Sequence, residues 1–149
     1  MTQHTHTIRL AHGGDTVACA EIMAAWVNGT PWMPKLHTPG EDRAFCAGMI
    51  WTGGVTVAET GGEVTGFLGQ SPNTIISLYV HSQMRGQGIG SALLNHAKGR
   101  AKTLTLWTFQ ANTGAQRFYL RHGFREVART DGDTNDERLP DIEYRWDAA

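Results

Sequence analysis

Cysteine is almost absent from this chain: its 149 residues include two, Cys19 and Cys46. They stand apart among helix-forming residues, and neither belongs to a CxxC pair. That excludes a disulfide-stapled scaffold and a cysteine-rich zinc site, and it predicts two small buried hydrophobes in a reducing cytosol. Net charge is missing as well, with 13 Lys and Arg set against 14 Asp and Glu. A general nucleic-acid binder carries a basic surplus, so no nucleic-acid partner is expected. No apolar run approaches the roughly 18 residues of a membrane span. Residues 1–7 lack a basic stretch leading into an apolar one, so no secretory signal is read. The expectation is a cytoplasmic protein with no membrane partner. No low-complexity linker and no internal repeat interrupts the chain, which predicts one domain over residues 1–149. His4 and His6 form an HxH pair whose side chains would share a strand face. No second ligand cluster completes a site, so no metal is expected.

Glycine, by contrast, is plentiful, and one glycine-rich run carries the most information: Arg85-Gly86-Gln87-Gly88-Ile89-Gly90-Ser91. It follows an apolar run with strand character, Ile75 to Val80, and leads into a helix-like segment, Ser91 to Lys98. Strand, glycine turn and helix N-terminus together make an anion site. Glycine lets the backbone approach a ligand closely, and the first amides of a helix have no intrahelical partner.

The remaining elements follow from periodicity. Ile8 to Ala11 reads as a first strand, and Asp15 is placed to cap a helix whose stripe is Val17, Ala20, Ala24 and Val27, widened by Cys19, Met23 and Trp26. Asn28-Gly29-Thr30-Pro31 stops it, and Trp32 to Pro39 reads as loop. Gly40 to Ile50 is a second helix with Phe45 and Met49 on one face. Val55–Glu59 and Glu63–Leu68 flank a turn at Thr60-Gly61-Gly62, and Ile75–Val80 is the third strand of a meander. In the helix after the glycine run, Ile89, Ala92, Leu93 and Ala97 line one face. Thr103–Phe109 is a strand, Asn112 to His122 a helix stopped by Gly123, and Phe124–Thr130 a strand. An acidic loop, Asp131 to Glu137, precedes a half-buried strand in which Ile142, Tyr144 and Trp146 alternate with charged residues. The fold class is α+β, a mixed, mostly antiparallel sheet of six or seven strands flanked by about four helices. One connection, from the third meander strand through a helix to Thr103–Phe109, has the form of a parallel crossover.

Which anion the loop takes is decided first by exclusion. A dinucleotide fingerprint, GxGxxG, fails at Ser91, and the acidic ribose ligand expected about 20 residues on is absent. Nothing matches a Walker A loop. What matches is Arg85-x-x-Gly88-x-Gly90, which resembles the acetyl-CoA pyrophosphate loop, [QR]-x-x-G-x-[GA], of the GNAT superfamily of N-acetyltransferases. A second block, Asn112-Thr113-Gly114-Ala115-Gln116-Arg117-Phe118-Tyr119-Leu120-Arg121-His122-Gly123-Phe124, resembles that family's N-x-x-A-x-x-F-Y-x-x-x-G-F signature. The two stand in family order with a strand between them.

The resemblance implies a GNAT fold, acetyl-CoA as cosubstrate, and acetyl transfer to a primary amine, small molecule or peptide, by direct attack in a ternary complex. It implies that the amides of Gly86, Gln87, Gly88, Ile89, Gly90 and Ser91 hold the pyrophosphate, with Arg85 adding charge. Leu78, Tyr79 and Val80 would pair with the pantetheine, and the Val80 N–H would polarise the thioester carbonyl. Asn112, Ala115 and Tyr119 step by three and four along one side of a helix, with Phe118 on an adjoining stripe. Asn112 is both a helix cap and, by resemblance, a contact to the pantetheine end. Phe118 is a packing or a cofactor residue. Tyr119 would be the general acid for the departing thiolate. For the general base, Glu59 and His81 are the two candidates. Trp32–Pro39 and Asp131–Glu137 are the candidate acceptor walls, suited to a cationic amine. Homodimers are common in the family. The rival reading is a non-catalytic acyl-CoA-binding sensor.

Overall fold

A computed structural model describes residues 5–149. The strands are β1 His6–Leu10, β2 Val55–Thr60, β3 Glu63–Ser71, β4 Thr74–Val80, β5 Thr103–Phe109, β6 Arg125–Thr130 and β7 Asp141–Asp147. They form one sheet in the order β1-β2-β3-β4-β5-β7-β6. Every neighbouring pair is antiparallel except β4 with β5. The helices are α1 Thr16–Asn28, α2 Pro39–Trp51, α3 Ile89–Lys98 and α4 Thr113–Arg121. This is the predicted α+β architecture, with the one parallel pair where the crossover was expected. Among the described residues no helix is long and apolar enough to cross a membrane.

Both faces of the sheet are covered, so β2 and the middle of β3 are buried residue after residue. Alternate residues serve opposite layers. Val55, Val57 and Phe67 pack with Cys19, Ala20, Met23 and Cys46 from α1 and α2. Ala58 and Leu68 pack with Ile89, Leu93, Leu94 and Ala97 of α3, joined by Leu104, Leu106, Ile142 and Tyr144. Gly66 sets how closely α3 approaches. A Cβ there would stand 2.9 Å from Ile89 Cγ2 and 3.1 Å from the Tyr79 carbonyl oxygen. The absent side chain lets the first residue of α3 rest on β3, and that contact fixes the height of the glycine loop before it.

Three expectations are corrected. The buried face of α1 is Cys19, Ala20, Ile22 and Met23, while Val17 is exposed. The helix packs on both α2 and the sheet, so its apolar face turns toward the seam between them. Asp15 does not cap α1 through its side chain. It closes a capping box with His12 around the preceding 3₁₀ turn and accepts two hydrogen bonds from Arg9. In α2 the buried residue is Cys46, and Phe45 is exposed. Thr38 caps α2 in a reciprocal box with Glu41, so the helix starts at Pro39.

The core makes stability sensitive to alkali. Burial pushes the Cys19 thiol from 9.0 up to about 12 and the Cys46 thiol up to about 11. Burial, then the charges of Glu137, Cys46 and Asp42, push the Tyr79 phenol up to about 12. Groups raised on folding contribute stability that is complete below their unfolded pKa and is lost as pH rises toward the folded one. Melting temperature is therefore expected to be level up to about pH 8 and to fall steadily above pH 9, with a shallower fall for Cys46→Ala. A melting temperature that stays flat to pH 11 would contradict this.

Candidate active site

β4 and β5 are joined at their beginning only. Thr74 pairs with Thr105, and the Thr105 N–H donates to the Asn73 carbonyl at 2.8 Å. β4 also carries a bulge: Gly69 faces Ser77 and Gln70 faces Ile75, leaving Ile76 without a partner on β3. A bulge bends and twists its strand, and past this point the two strands part. On the β3 side β4 stays paired, with the His81 N–H donating to the Thr65 carbonyl at 2.8 Å. Antiparallel pairing alternates, so Leu78 and Val80 turn their N–H and C=O groups away from β3 and into the gap. The gap is a cleft of about 140 Å³ whose lining includes Leu78, Tyr79, Thr108, Asn112, Ala115 and Tyr119.

The glycine loop stands at the end of β4. His81 caps the 3₁₀ turn Ser82–Met84 by accepting from the Gln83 N–H, and Arg85 follows it, exposed. Gly86 and Gly88 have φ of 78° and 81°, a left-handed conformation that disfavours any side chain, and the space beside each is open. Gly88 is the N-cap of α3 and supplies no side-chain cap. The amides of Ile89, Gly90 and Ser91 begin the helix with no intrahelical acceptor available to them. From the far edge of the sheet His6 holds the loop: Nε2 donates to the Gln87 carbonyl at 3.1 Å, and Nδ1 accepts from the Thr60 hydroxyl at 2.8 Å. His6 thus serves the loop; the other histidine of its HxH pair, His4, lies outside the described residues. Arg100 follows the C-terminal end of α3, the end away from the loop.

α4 closes the cleft from below. Asn112 Oδ1 accepts from the Ala115 N–H at 3.1 Å, the expected cap. Phe118 lies against the start of α3, where a Cβ on Gly90 would be 3.4 Å from its Cζ. The Ser91 hydroxyl is bonded to His122 Nε2 at 3.0 Å, which leaves its amide as the group available to a ligand. Tyr119 is 7% exposed, with Phe118, Phe124 and Tyr144 around its ring. Burial, reinforced by Tyr79, holds its phenol protonated well above the ordinary range.

The structure thus brings Leu78, Tyr79, Val80, the glycine run, Asn112, Ala115, Phe118 and Tyr119 around one cleft and its mouth. It does not bring Glu59 there. That carboxylate accepts from Arg9 Nε at 2.7 Å on the β1–β2 side, in a network that includes Asp15. His81 is exposed, with Nδ1 occupied in capping.

Other residues escaped sequence reasoning. Thr108, 8% exposed, lines the cleft, and its hydroxyl oxygen is buried with no partner. Its signal was the alternation Leu104, Leu106, Thr108, two core positions followed by a hydroxyl. Trp26 packs on Tyr79 of β4 at 5.7 Å and on Trp32 at 5.8 Å, and Trp32 packs on Phe109 of β5 at 5.8 Å. This aromatic bridge spans the parted strands. Beside it a larger cavity of about 670 Å³ lies among α1, Met33–His37, α2, β4 and Glu137. Both predicted acceptor walls contribute to it, and it shares Ile76, Ser77 and Tyr79 with the cleft. Among the described residues no group of three or more His, Cys, Asp and Glu is placed to hold a metal.

The comparisons agree with this layout. The curated peptidyl-lysine N-acetyltransferase YjaB of Salmonella typhimurium is 35% identical to this chain over 71 residues, 48% of this chain and 49% of that protein. The chain spans about half, or less, of the length of the curated relatives it matches. Two solved structures share the fold. Apo YjaB from Escherichia coli has a TM-score of 0.79 at 22% identity, over 97% of this chain and 99% of that one. The structure of yncA from Salmonella typhimurium with its cofactor acetyl-CoA has a TM-score of 0.78 at 22% identity, over 97% of this chain and 95% of that one. The profile of the acetyltransferase (GNAT) domain matches residues 51–126, which hold the bulged strand, the glycine loop and the tyrosine helix. With half of its length inside that profile, the chain belongs to the GNAT acetyltransferase family.

Proposed function

We propose that this protein transfers the acetyl group of acetyl-CoA to a primary amine by direct attack in a ternary complex, with Tyr119 as general acid. The observation that carries the reading is the unpaired edge of β4, which ends at a glycine loop and faces a buried tyrosine. The residues fit the donor. The open space beside Gly86 and Gly88 and the uncapped start of α3 suit a pyrophosphate, bound through the amides from Gly86 to Ser91. The N–H and C=O groups of Leu78 and Val80 suit the amides of a pantetheine arm, which would add to the sheet as a short strand. The orphaned Thr108 hydroxyl suits a further polar contact within the cleft.

Bound there, acetyl-CoA supplies an activated acyl group as a thioester. The Val80 N–H is aimed to stabilise the oxyanion that develops when the amine nitrogen attacks the carbonyl carbon. As the C–N bond forms and the C–S bond breaks, Tyr119 gives its proton to the sulfur, a role suited to a phenol that burial keeps neutral. The amine's own proton passes to water, so no step runs through Glu59. Neither cysteine lines the cleft, and burial raises both thiols, which favours direct attack over an acetyl-enzyme. The name of the Salmonella relative, a peptidyl-lysine acetyltransferase, keeps peptides within the acceptor class.

Thiol release from acetyl-CoA with a panel of amines tests this function directly. Tyr119→Phe is expected to lower kcat by about a hundredfold or more while CoA affinity is retained. Undiminished turnover by that variant would remove Tyr119 from the mechanism. Thr108→Val is expected to leave the melting temperature of the free protein unchanged or raised, since it deletes an unpartnered buried hydroxyl. It should weaken CoA binding by about two- to tenfold, the worth of one hydrogen bond. A lowered melting temperature with unchanged CoA affinity would assign that hydroxyl to the fold instead.

A further inference from the structure

The cavity of about 670 Å³ is well above what an alkyl stem fills and within the range of small-molecule sites. Its walls are largely apolar, with Met23, Val27, Leu36 and Phe45 among them, and this is where the exposed Phe45 of α2 finds its use. Two carboxylates reach it from distant parts of the chain, Asp42 from the first turn of α2 and Glu137 from the connection before β7. Both are half-buried, and among the described residues neither is in an ion pair. Both line the same cavity as Tyr79. The third carboxylate there, Glu41, is already committed to the Thr38 N–H, and the one ammonium, Lys35, is exposed. The helix dipole favours Asp42 at its position but offers nothing to Glu137.

At the passage from cavity to cleft stands Ser77, 6% exposed and lining both. Its hydroxyl donates at 3.9 Å to the Met49 sulfur, a weak acceptor, and its oxygen has capacity left for an N–H donor. A nitrogen held between two carboxylates stays protonated, because nearby negative charge favours the cation. A nitrogen that attacks a thioester must be neutral. One nitrogen does not meet both conditions, so a cationic ligand of this cavity needs two.

We infer that the acceptor is a small diamine with an apolar body: one ammonium rests on Asp42 and Glu137, the body fills the cavity, and the second amine passes Ser77 to reach the thioester. This deepens the acetyl-transfer reading and depends on it. An amino acid brings a carboxylate against like charge, and a lysine side chain leaves most of the cavity empty.

The test is steady-state kinetics with acetyl-CoA and matched pairs of alkyl and aralkyl amines, each diamine set beside the monoamine in which a methyl replaces the distal amine. The expected result is a kcat/KM for diamines at least about tenfold above their monoamines, the scale of one charged hydrogen bond. Asp42→Asn and Glu137→Gln should bring that ratio toward one, with the KM for acetyl-CoA unmoved. Ser77→Ala should lower turnover of diamine and monoamine alike. Equal kcat/KM within the pairs, a ratio that survives both charge substitutions, or turnover of lysine peptides in preference to diamines overturns the inference and leaves the acetyltransferase reading standing. CoA binding without turnover of any amine overturns both.

Discussion

The structure depends on a set of hydrogen bonds that are not made. After Thr74 and Thr105, β4 and β5 run in the same direction without pairing. Backbone N–H and C=O groups left unpaired in a protein interior cost roughly 1–3 kcal/mol each, so an open edge in mid-sheet persists only where a ligand or solvent meets it. The rest of the fold holds that edge open. The bulge at Ile76 bends β4 away, the aromatic bridge from Trp26 through Trp32 to Phe109 spans the gap, and α4 supplies a floor. Gly66 brings α3 down onto β3, so the glycine loop arrives where the open edge ends.

Two apolar layers divide the labour. The layer beneath α3 and α4 positions the groups proposed to hold and cleave the donor, and it keeps Tyr119 neutral by burying it. The layer beneath α1 and α2 is packed around Val55, Val57 and Phe67, with both cysteines inside it, and its outer margin opens as the larger cavity. Tyr79 belongs to this second layer, packing on Phe67 and Trp26, and it lines both the cleft and the larger cavity. In the proposed function, donor and acceptor meet at the unpaired edge of β4.

The sequence made the donor half legible and left the acceptor half largely hidden. Glycines at Gly86, Gly88 and Gly90, a cap at Asn112 and a tyrosine two turns on are local patterns, and the structure places them around one cleft. The succession of elements along the chain followed from periodicity and turn residues, as in β7, where Ile142, Tyr144 and Trp146 alternate with charged residues. Glu59 was singled out as a glutamate at the end of a meander strand, by analogy with the family, and its ion-pair partner, Arg9, sits on another strand where no local pattern points to it. Val17 misled because α1 faces a seam between helix and sheet, which rotates the buried stripe. Asp42, Ser77 and Thr108 took on meaning only in three dimensions, as did Glu137 among the seven residues of its acidic loop. Each is an ordinary residue in its own segment, and its meaning comes from what it lacks: an ion-pair partner, a strong acceptor, any hydrogen bond at all.

If the unpaired edge of β4 and the start of α3 form one site for the pantetheine and pyrophosphate of CoA, backbone amide chemical shifts on titration with CoA will report it, with NAD and ATP as comparison ligands. The largest changes are then expected at Leu78, Val80 and Gln87 to Ser91, saturating together, with weaker binding of NAD and ATP. Amides at these positions that ignore CoA, or that respond more strongly to a nucleotide without a pantetheine arm, would contradict it.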